Sequence, residues 1–311
     1  MSVRTFAFSA TLSRLIGLAA WAGFGFVGFV ADEVLAEEPR VEVFGDGPDV
    51  LLIPGLSCGA DVWQGTVEAL ESDYRLHVVT LPGFAGAAPR QAGPFLKSSR
   101  DELLAYIDQN DLERPAIVGH SLGAHLAYAM ASHAPGAVGP LVAVDGLPFL
   151  GALQNPDATP ETVRAQAEQM LAAFDGISRD DFERQNELSL RTMIRNAEDI
   201  ARVASTSRQS DPATVGRAMY ELMQTDLRAD LAAIEQPVLQ MGAFGGLPTP
   251  EMRQWMGDRY REQIAAAPNA RFVEMPTLHF VMLDEPELFV RTLDDFLKQN
   301  LATAPLSAVR P

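Results

Sequence analysis

Short apolar runs alternate with helical stretches along most of the chain from Val41 onward. Runs rich in β-branched residues predict strands, and they occupy residues 41–44, 50–53, 74–80, 116–118, 141–144, 238–241 and 271–274. Amphipathic stretches that predict helices lie near residues 60–71, 98–110, 122–133, 250–267 and 286–299. This alternation is typical of a mostly parallel sheet with helices on both faces.

The alternation is interrupted between residues 146 and 236, a stretch that we call the cap segment. It contains no strand-like run but has amphipathic helical stretches such as ETVRAQAEQMLAAF and DFERQNELSLRTMIRN. Because it lies between two predicted strands, we expect a helical lid over the carboxyl edge of the sheet. The core then has two parts, residues 37–145 and 237–301, and the tail 302–311 is predicted to be disordered.

The N-terminal segment has the pattern of a secretory signal peptide. Arg4 and Arg14 precede an uncharged run over residues 15–31, and Val34-Leu35-Ala36 resembles a cleavage site for residues 1–36. The acids Asp32 and Glu33 crowd that site, so an uncleaved membrane anchor is the alternative. Either way we expect an exported protein, periplasmic or secreted, or anchored and facing outward.

Composition narrows the classes of partner. The chain has 311 residues, 47% of them hydrophobic, enough for a large core without a metal or disulfide. Its single cysteine, Cys58, excludes an intramolecular disulfide. The net charge of −17 disfavours nucleic acid and anionic membrane surfaces, because repulsion opposes both. We therefore expect a small neutral or apolar ligand, and no stable membrane contact unless the N-terminal segment is uncleaved.

The run Gly119-His120-Ser121-Leu122-Gly123 has the G-x-S-x-G pattern of a nucleophile elbow. A predicted strand precedes it and a predicted helix follows, which is the context that the motif needs. Glycine on each side allows the turn to be sharp, since larger side chains would collide with neighbouring backbone. We expect the Ser121 hydroxyl at the carboxyl edge of the sheet, above a helix N-terminus.

A second loop, Pro54-Gly55-Leu56-Ser57, follows the strand at residues 50–53. Such a loop can point a backbone N–H at the elbow, as an oxyanion hole requires. We assign the two oxyanion donors to the amides of Leu56 and Leu122. Cys58 lies close to this loop, but we interpret it as an inert buried thiol because no feature is arranged to lower its pKa.

At this point the chain resembles the α/β-hydrolase superfamily over most of residues 41–300. The resemblance rests on the PGLS loop, the GHSLG elbow and TLHFVMLDEPELF near the end, which is similar to the family's histidine loop and last helix. It implies an α/β-hydrolase fold, a cap between strands 6 and 7 of the family's count, the chain order serine, acid, histidine, and hydrolysis. Because serine stands at the nucleophile position, the branches with aspartate there, haloalkane dehalogenases and epoxide hydrolases, are disfavoured.

His279 is our candidate for the general base. It lies between the last predicted strand and the last predicted helix, where a loop can hold its imidazole over the elbow. Of the other histidines, His77 lies in a strand and His120 fills the elbow. His125 and His133 fall on the helix after the serine, and we expect His125 to be packed rather than to line the pocket.

The acid is not at the family's usual place. The turn after the strand at residues 238–241 reads GAFGGLPT and holds no carboxylate, and Glu251 and Asp258 come only in the following helix. One strand earlier, Asp145 ends LVAVD at the same edge of the sheet. Some lipases of this family take their acid there, so we choose Asp145 and keep Asp258, Glu251 and no functional acid as alternatives.

These residues predict a serine hydrolase of carboxylesterase or lipase type that acts on a small acyl substrate. We expect no cofactor and no metal, since the sequence lacks metal-ligand spacing and phosphate-binding glycine loops. An acyltransferase, an aminopeptidase or a carbon–carbon hydrolase would use the same triad. A non-catalytic ligand-binding protein of this fold is the alternative from another class.

Overall fold

The structure is a computed structural model that describes residues 38–90 and 93–301. The predicted signal peptide and the predicted tail lie outside the described residues. Seven strands of the described chain form one sheet in the order β1-β3-β2-β4-β5-β6-β7, in which β1 is antiparallel to β3 and the other pairs are parallel. The strands are β1 Arg40–Phe44, β2 Asp49–Ile53, β3 Arg75–Thr80, β4 Ala116–His120, β5 Leu141–Val144, β6 Val238–Ala243 and β7 Ala270–Met275.

Helices follow the strands as the periodicity predicts. They are α1 Gln64–Leu70, α2 Phe95–Gln109, α3 Leu122–His133, α4 Pro160–Ala172, α5 Arg179–Met193, α6 Ala197–Ser207, α7 Pro212–Gln224, α8 Pro250–Gln263, α9 Val281–Asp284 and α10 Pro286–Leu301. The predicted helix near residues 60–71 is divided into a 3-10 turn, Ala60–Trp63, and α1. The short helix α9 was not predicted, because four residues are too few to show a helical period.

Successive residues of the central strands enter different apolar clusters. Leu51 belongs to a cluster with residues of α2, α3 and α7, whereas Leu52 belongs to one with residues of α1, α9 and α10. This follows from the two-residue period of a strand whose two faces are both covered by helices. Helices thus cover both faces of the sheet, and the strand ends are left to carry loops.

The described cap segment contains α4 to α7 and two 3-10 turns between β5 and β6, and no strand. Each of these four helices begins with a side chain that accepts a backbone N–H, which satisfies one free amide of the first turn. The four capping residues are Thr159, Ser178, Asn196 and Asp211. Helix α4 packs against α7 and α5 against α6, while α7 also contacts α2 of the core.

Across residues 38–90 and 93–301, no helix is both long and apolar enough to span a lipid bilayer.

Candidate active site

Ser121 occupies the sharp turn between β4 and α3. Its φ of 54° and ψ of −113° are unusual for a residue with a side chain, and its amide donates to the carbonyl oxygen of Val144 at 2.9 Å. A strained backbone of this kind persists only where its surroundings hold it. The turn places Ser121 in the lining of a cavity at the carboxyl edge of the sheet.

The two elbow glycines are required by close backbone contacts. A Cβ on Gly119 would lie 2.1 Å from the carbonyl oxygen of Gly123, and a Cβ on Gly123 would lie 2.2 Å from that of Ile53. Both distances are far inside van der Waals contact, and neither partner is a flexible side chain. The spacing of the motif thus reflects how tightly α3 packs onto β2 and β4.

Asp145 and His279 meet at the same edge. Asp145 directly follows β5, and its Oδ2 lies 2.6 Å from Nδ1 of His279, which is in the loop after β7. Since a carboxylate only accepts hydrogen bonds, Nδ1 carries the proton and Nε2 is left as the basic nitrogen. His279 and Ser121 line one cavity. The structure therefore brings together the three side chains that the sequence singled out.

The other oxygen of Asp145 accepts two further hydrogen bonds. Its Oδ1 lies 2.8 Å from the backbone nitrogen of Ala243 and 2.6 Å from the hydroxyl of Tyr260. Ala243 ends β6 and begins the turn that lacks a carboxylate. The sequence alone does not predict this role of Tyr260, because the burial of its hydroxyl on α8, which requires a hydrogen-bond partner, is visible only in the structure.

The alternative acids are placed differently. Glu251 is exposed in the first turn of α8. Asp258 is exposed on the same helix and lies 3.2 Å from Nη1 of Arg261. Their positions are those of ordinary surface residues, whereas Asp145 is the carboxylate bonded to the imidazole of His279.

His120, the residue before the nucleophile, also contacts the loop that carries His279. Its Nε2 lies 3.1 Å from the carbonyl oxygen of His279, and the centroids of the two rings are 4.6 Å apart. Burial, together with the nearby imidazole of His279, holds the pKa of His120 well below its usual range. A neutral His120 therefore supports the loop of His279 without adding a competing positive charge.

His125 is packed, as expected. It is fully buried, its Nδ1 lies 3.2 Å from the carbonyl oxygen of Leu147, and burial lowers its pKa to about 4. Cys58 lines the cavity but is also buried, and this burial raises the pKa of its thiol well above the usual range. A thiolate nucleophile is thus not formed there at neutral pH.

The cavity that Ser121 and His279 share has a volume of about 220 Å³. One wall comes from the core and includes Leu56 and Phe280, and the other comes from the cap segment. The cap residues in this wall are Phe174, Phe182, Gln185, Asn186, Ser189, Leu190, Met193, Val215 and Met219. Among the described residues that line it, none is Asp, Glu, Lys or Arg.

The loop that carries Leu56 is bonded to the cap segment. Ser57, buried and with a φ of 63°, donates from Oγ to the carbonyl oxygen of Ser207 at 3.1 Å. In return, Oγ of Ser210 donates to the carbonyl oxygen of Ser57 at 3.1 Å. We call these two hydrogen bonds the serine clamp.

The second predicted oxyanion donor is the amide of Leu122. Leu122 is the first residue of α3, where backbone amides have no acceptor within the helix.

No group of three or more His, Cys, Asp or Glu side chains within the described ranges is arranged to hold a metal ion.

This sheet, elbow and histidine loop define an α/β hydrolase. A family model described as "Alpha/beta hydrolase family" matches residues 50–292, so the chain belongs to that family. The fold is also that of a hydrolase from Pseudomonas aeruginosa PA01, with a TM-score of 0.70, 21% identity and coverage of 83% of this chain and 94% of that one. An enol-lactonase from Burkholderia xenovorans LB400 aligns with a TM-score of 0.67 and 18% identity over 84% and 96%.

Curated relatives narrow the class to esterases. A pimeloyl-[acyl-carrier protein] methyl ester esterase from Nitrosomonas europaea is 30% identical over 265 residues, which are 82% of this chain and 98% of that protein. The protein of the same name from Vibrio vulnificus is 27% identical over 254 residues, 81% and 95% of the two chains. The chain is therefore a hydrolase of the ester-cleaving class.

Proposed function

We propose that this hydrolase cleaves esters through an acyl-enzyme, with Ser121 as nucleophile, His279 as general base and Asp145 as the acid that orients His279. The observation that carries the proposal is the 2.6 Å contact between Nδ1 of His279 and Oδ2 of Asp145, beside Ser121 at one cavity. This contact leaves Nε2 of His279 as the nitrogen that can take the serine proton.

The proposed reaction has two balanced halves. Oγ of Ser121 attacks the ester carbonyl carbon while Nε2 of His279 accepts the hydroxyl proton, and the amides of Leu56 and Leu122 stabilise the negative oxygen. Each such donor is commonly worth about 3 kcal/mol in the transition state. His279 then protonates the leaving alcohol. Water then attacks the carbonyl carbon of the acyl-enzyme while Nε2 of His279 accepts its proton. His279 returns a proton to Oγ of Ser121 as the carboxylic acid leaves, and Asp145 stays ionised throughout.

We infer that the substrate is a small uncharged ester that the cap segment, residues 146–236, helps to enclose. The cavity of about 220 Å³ is smaller than most drug-sized sites, and its described lining is largely apolar with neutral Gln185, Asn186 and Ser189. An anionic acyl group would have no cation in this lining to compensate its lost hydration.

Docking of an acidic carrier or of nucleic acid is not favoured by the cap segment. Five of its nine arginines form ion pairs with carboxylates of the same chain, as in the pairs Arg191–Glu187 at 2.6 Å and Arg228–Asp226 at 2.6 Å. The segment carries 15 acidic residues against 9 arginines. A free small-molecule ester therefore fits better than an ester delivered on such a carrier.

Labelling with a fluorophosphonate tests the nucleophile without knowledge of the substrate. The wild-type protein should be labelled and the Ser121→Ala variant should not. Equal labelling of the two proteins, or none of the wild type, would rule out the proposed nucleophile. A non-catalytic protein of this fold is the alternative, and the hydrogen bond between Asp145 and His279 argues against it.

Two esters with the same carbon chain test the substrate class. Dimethyl pimelate is neutral, whereas monomethyl pimelate carries a free carboxylate, so we expect a kcat/KM at least tenfold higher for the diester. A series of p-nitrophenyl esters of increasing acyl length should then show a decline once the acyl chain exceeds the cavity. Preference for the monoester would contradict the proposed uncharged substrate.

We also propose that the protein is exported after cleavage near Ala36, which rests on the sequence of residues 1–36 alone. Sequencing the N-terminus of the protein isolated from its host tests this. A start near Glu37 supports cleavage and a periplasmic or secreted product. An intact Met1 recovered with membranes would support the uncleaved anchor instead.

A further inference from the structure

The carboxylate of Asp145 has a partner that the serine, histidine and acid pattern does not include. The hydroxyl of Tyr260 donates to Oδ1 at 2.6 Å, on the opposite oxygen from the one that faces His279. Tyr260 is only 6% exposed, and its ring packs against Phe244 and Phe272 with centroid distances of 5.6 and 5.5 Å. The hydroxyl is therefore held in place by an aromatic cluster.

We propose that Tyr260 is a positioning residue for the reaction, which acts by holding the carboxylate of Asp145 in the rotation that presents Oδ2 to His279. This inference rests on the proposed function, because it assigns a role to a partner of the proposed triad acid. Tyr260 would not touch the substrate; its effect would pass through Asp145 to His279.

The need for such a residue follows from where Asp145 stands. Its side chain is 10% exposed, so few water molecules are available to stabilise a negative charge. The amide of Ala243 supplies one donor to Oδ1, and Tyr260 supplies the other. Hydrogen bonds from hydroxyl to ionised carboxylate are short and about twice as strong as neutral ones, which fits the observed 2.6 Å.

The hydroxyl of Tyr260 remains a donor over the working pH range. Burial, and then the negative charge of Asp145, raise the pKa of Tyr260 well above its usual range. The titratable groups that face this pair are His279 on the far oxygen of Asp145 and Tyr128 of α3. None of these replaces the bond that Tyr260 makes to Oδ1.

The variant Tyr260→Phe isolates the hydroxyl, because the ring and its packing remain. A hydrogen bond to a charged group contributes about 1.5–3 kcal/mol, and about 1.4 kcal/mol is a factor of ten in rate. We therefore expect kcat for a p-nitrophenyl ester to fall about ten- to hundredfold, with KM within about twofold of the wild-type value. With one donor lost, the carboxylate attracts a proton more strongly, on itself or on His279. The acidic limb of the kcat/KM profile should therefore move to higher pH.

Tyr74→Phe is the matched control. The hydroxyl of Tyr74 also donates to a carboxylate, Oδ1 of Asp294, at 2.8 Å, but this pair joins the start of β3 to α10. Its removal should leave kcat and the pH profile unchanged. A low-field proton resonance from Nδ1 of His279, followed by NMR, should shift or broaden in Tyr260→Phe and stay in place in Tyr74→Phe.

Wild-type kcat and an unmoved pH profile in Tyr260→Phe would overturn the inference. An equal loss in both tyrosine variants would also overturn it, since the effect would then be general. Failure of the proposed function has a different signature: Ser121→Ala would still be labelled, or Asp145→Asn would keep full activity. If those two variants behave as proposed and Tyr260→Phe does not, only the positioning role fails.

Discussion

Ala243 donates its backbone N–H to Oδ1 of Asp145 at 2.8 Å. The strand end that lacks a carboxylate is thereby one of the groups that hold the carboxylate of the neighbouring strand. Since a donor to a carboxylate favours its charged form, the turn after β6 contributes electrostatically although it has no acid of its own. Although the acid follows β5 and not β6, the ends of both strands contribute to the site: β5 is followed by the carboxylate, and β6 ends with a hydrogen-bond donor to it.

Asp145→Asn should lower kcat for a p-nitrophenyl ester by at least about a hundredfold and up to about 10⁴-fold, because the amide cannot fix the His279 tautomer or stabilise its protonated form. Asp258→Asn is the control, since that side chain is exposed and paired with Arg261. If the Asp258 variant lost the activity and the Asp145 variant kept it, our choice of acid would be wrong.

Gly123→Ala should destabilise the fold by about 1–3 kcal/mol or prevent soluble expression, because the added Cβ would meet the carbonyl oxygen of Ile53 at 2.2 Å. Gly65→Ala is the matched substitution: it lies in α1 and its Cβ would have no neighbour within 4 Å. It should be neutral or stabilising by up to about 1 kcal/mol. Urea unfolding measures both, and equal effects would refute the close packing of the elbow.

Ser210→Ala should lower kcat about tenfold. It removes one bond of the serine clamp and leaves two backbone groups, the buried carbonyl of Ser57 and the partly buried amide of Ala85, without their hydroxyl partner. The loop that carries the amide of Leu56 should then be less well fixed. Hydrogen exchange of that loop should rise as kcat falls.

The control for Ser210→Ala is Ser132→Ala, whose hydroxyl contacts only a carbonyl of its own helix, that of Ala129 at 3.4 Å. We expect wild-type kcat and exchange in this variant. A loss of stability in Ser210→Ala with unchanged kcat would show that the serine clamp supports the fold but not the oxyanion donor.

Acid should weaken the fold through His125. Burial lowers its pKa to about 4, whereas an imidazole in the unfolded chain titrates near 6.5. Between these values the unfolded chain binds more protons, so the free energy of unfolding falls as the pH falls from about 6.5 to about 4. Each pKa unit corresponds to about 1.4 kcal/mol. His120 acts in the same direction.

His125→Asn tests this contribution, because the amide nitrogen of asparagine lies near the position of Nδ1, the atom that contacts the carbonyl of Leu147, but does not titrate. Urea unfolding between pH 4.5 and 7, a window set by the two titration values, should give a smaller pH slope for the variant than for the wild type. An unchanged slope would show that His125 titrates in the folded protein as it does in the unfolded chain.

The sequence predicted all seven strands of the described chain, with ends displaced by no more than two residues, because each is a compact apolar run bounded by turn residues. Ser121, His279 and Asp145 could be found because each follows a predicted strand, and parallel strands end at the same edge. Tyr260 could not be found this way. It lies on a helix, 115 residues from Asp145, and only the packing of α8 decides which carboxylate its hydroxyl reaches.

The serine clamp also cannot be predicted from the sequence, because tertiary packing decides which groups its serines contact. Serine is common in turns, so Ser57, Ser207 and Ser210 carry no distinctive spacing, and their bonds join positions 150 and 153 residues apart. The sequence does not predict the contact of His120 with His279, because it depends on the path of a loop 159 residues away. The sequence pattern thus predicts the functional side chains at the ends of strands. The packing of helices and loops, which the pattern does not show, decides which further side chains contact them.

The ladder of the sheet continues beyond its strands into the site. The amide of Ser121 donates to the carbonyl of Val144 at 2.9 Å, and the amide of Asp145 donates to that of Met241 at 3.0 Å, so the ends of β4, β5 and β6 are tied in sequence. The spacing between neighbouring strands therefore sets the distance between the nucleophile and the acid, and the cap segment does not. Replacement of the cap walls could change which ester enters while the reacting groups keep their separation, which makes this scaffold suited to redesign of specificity.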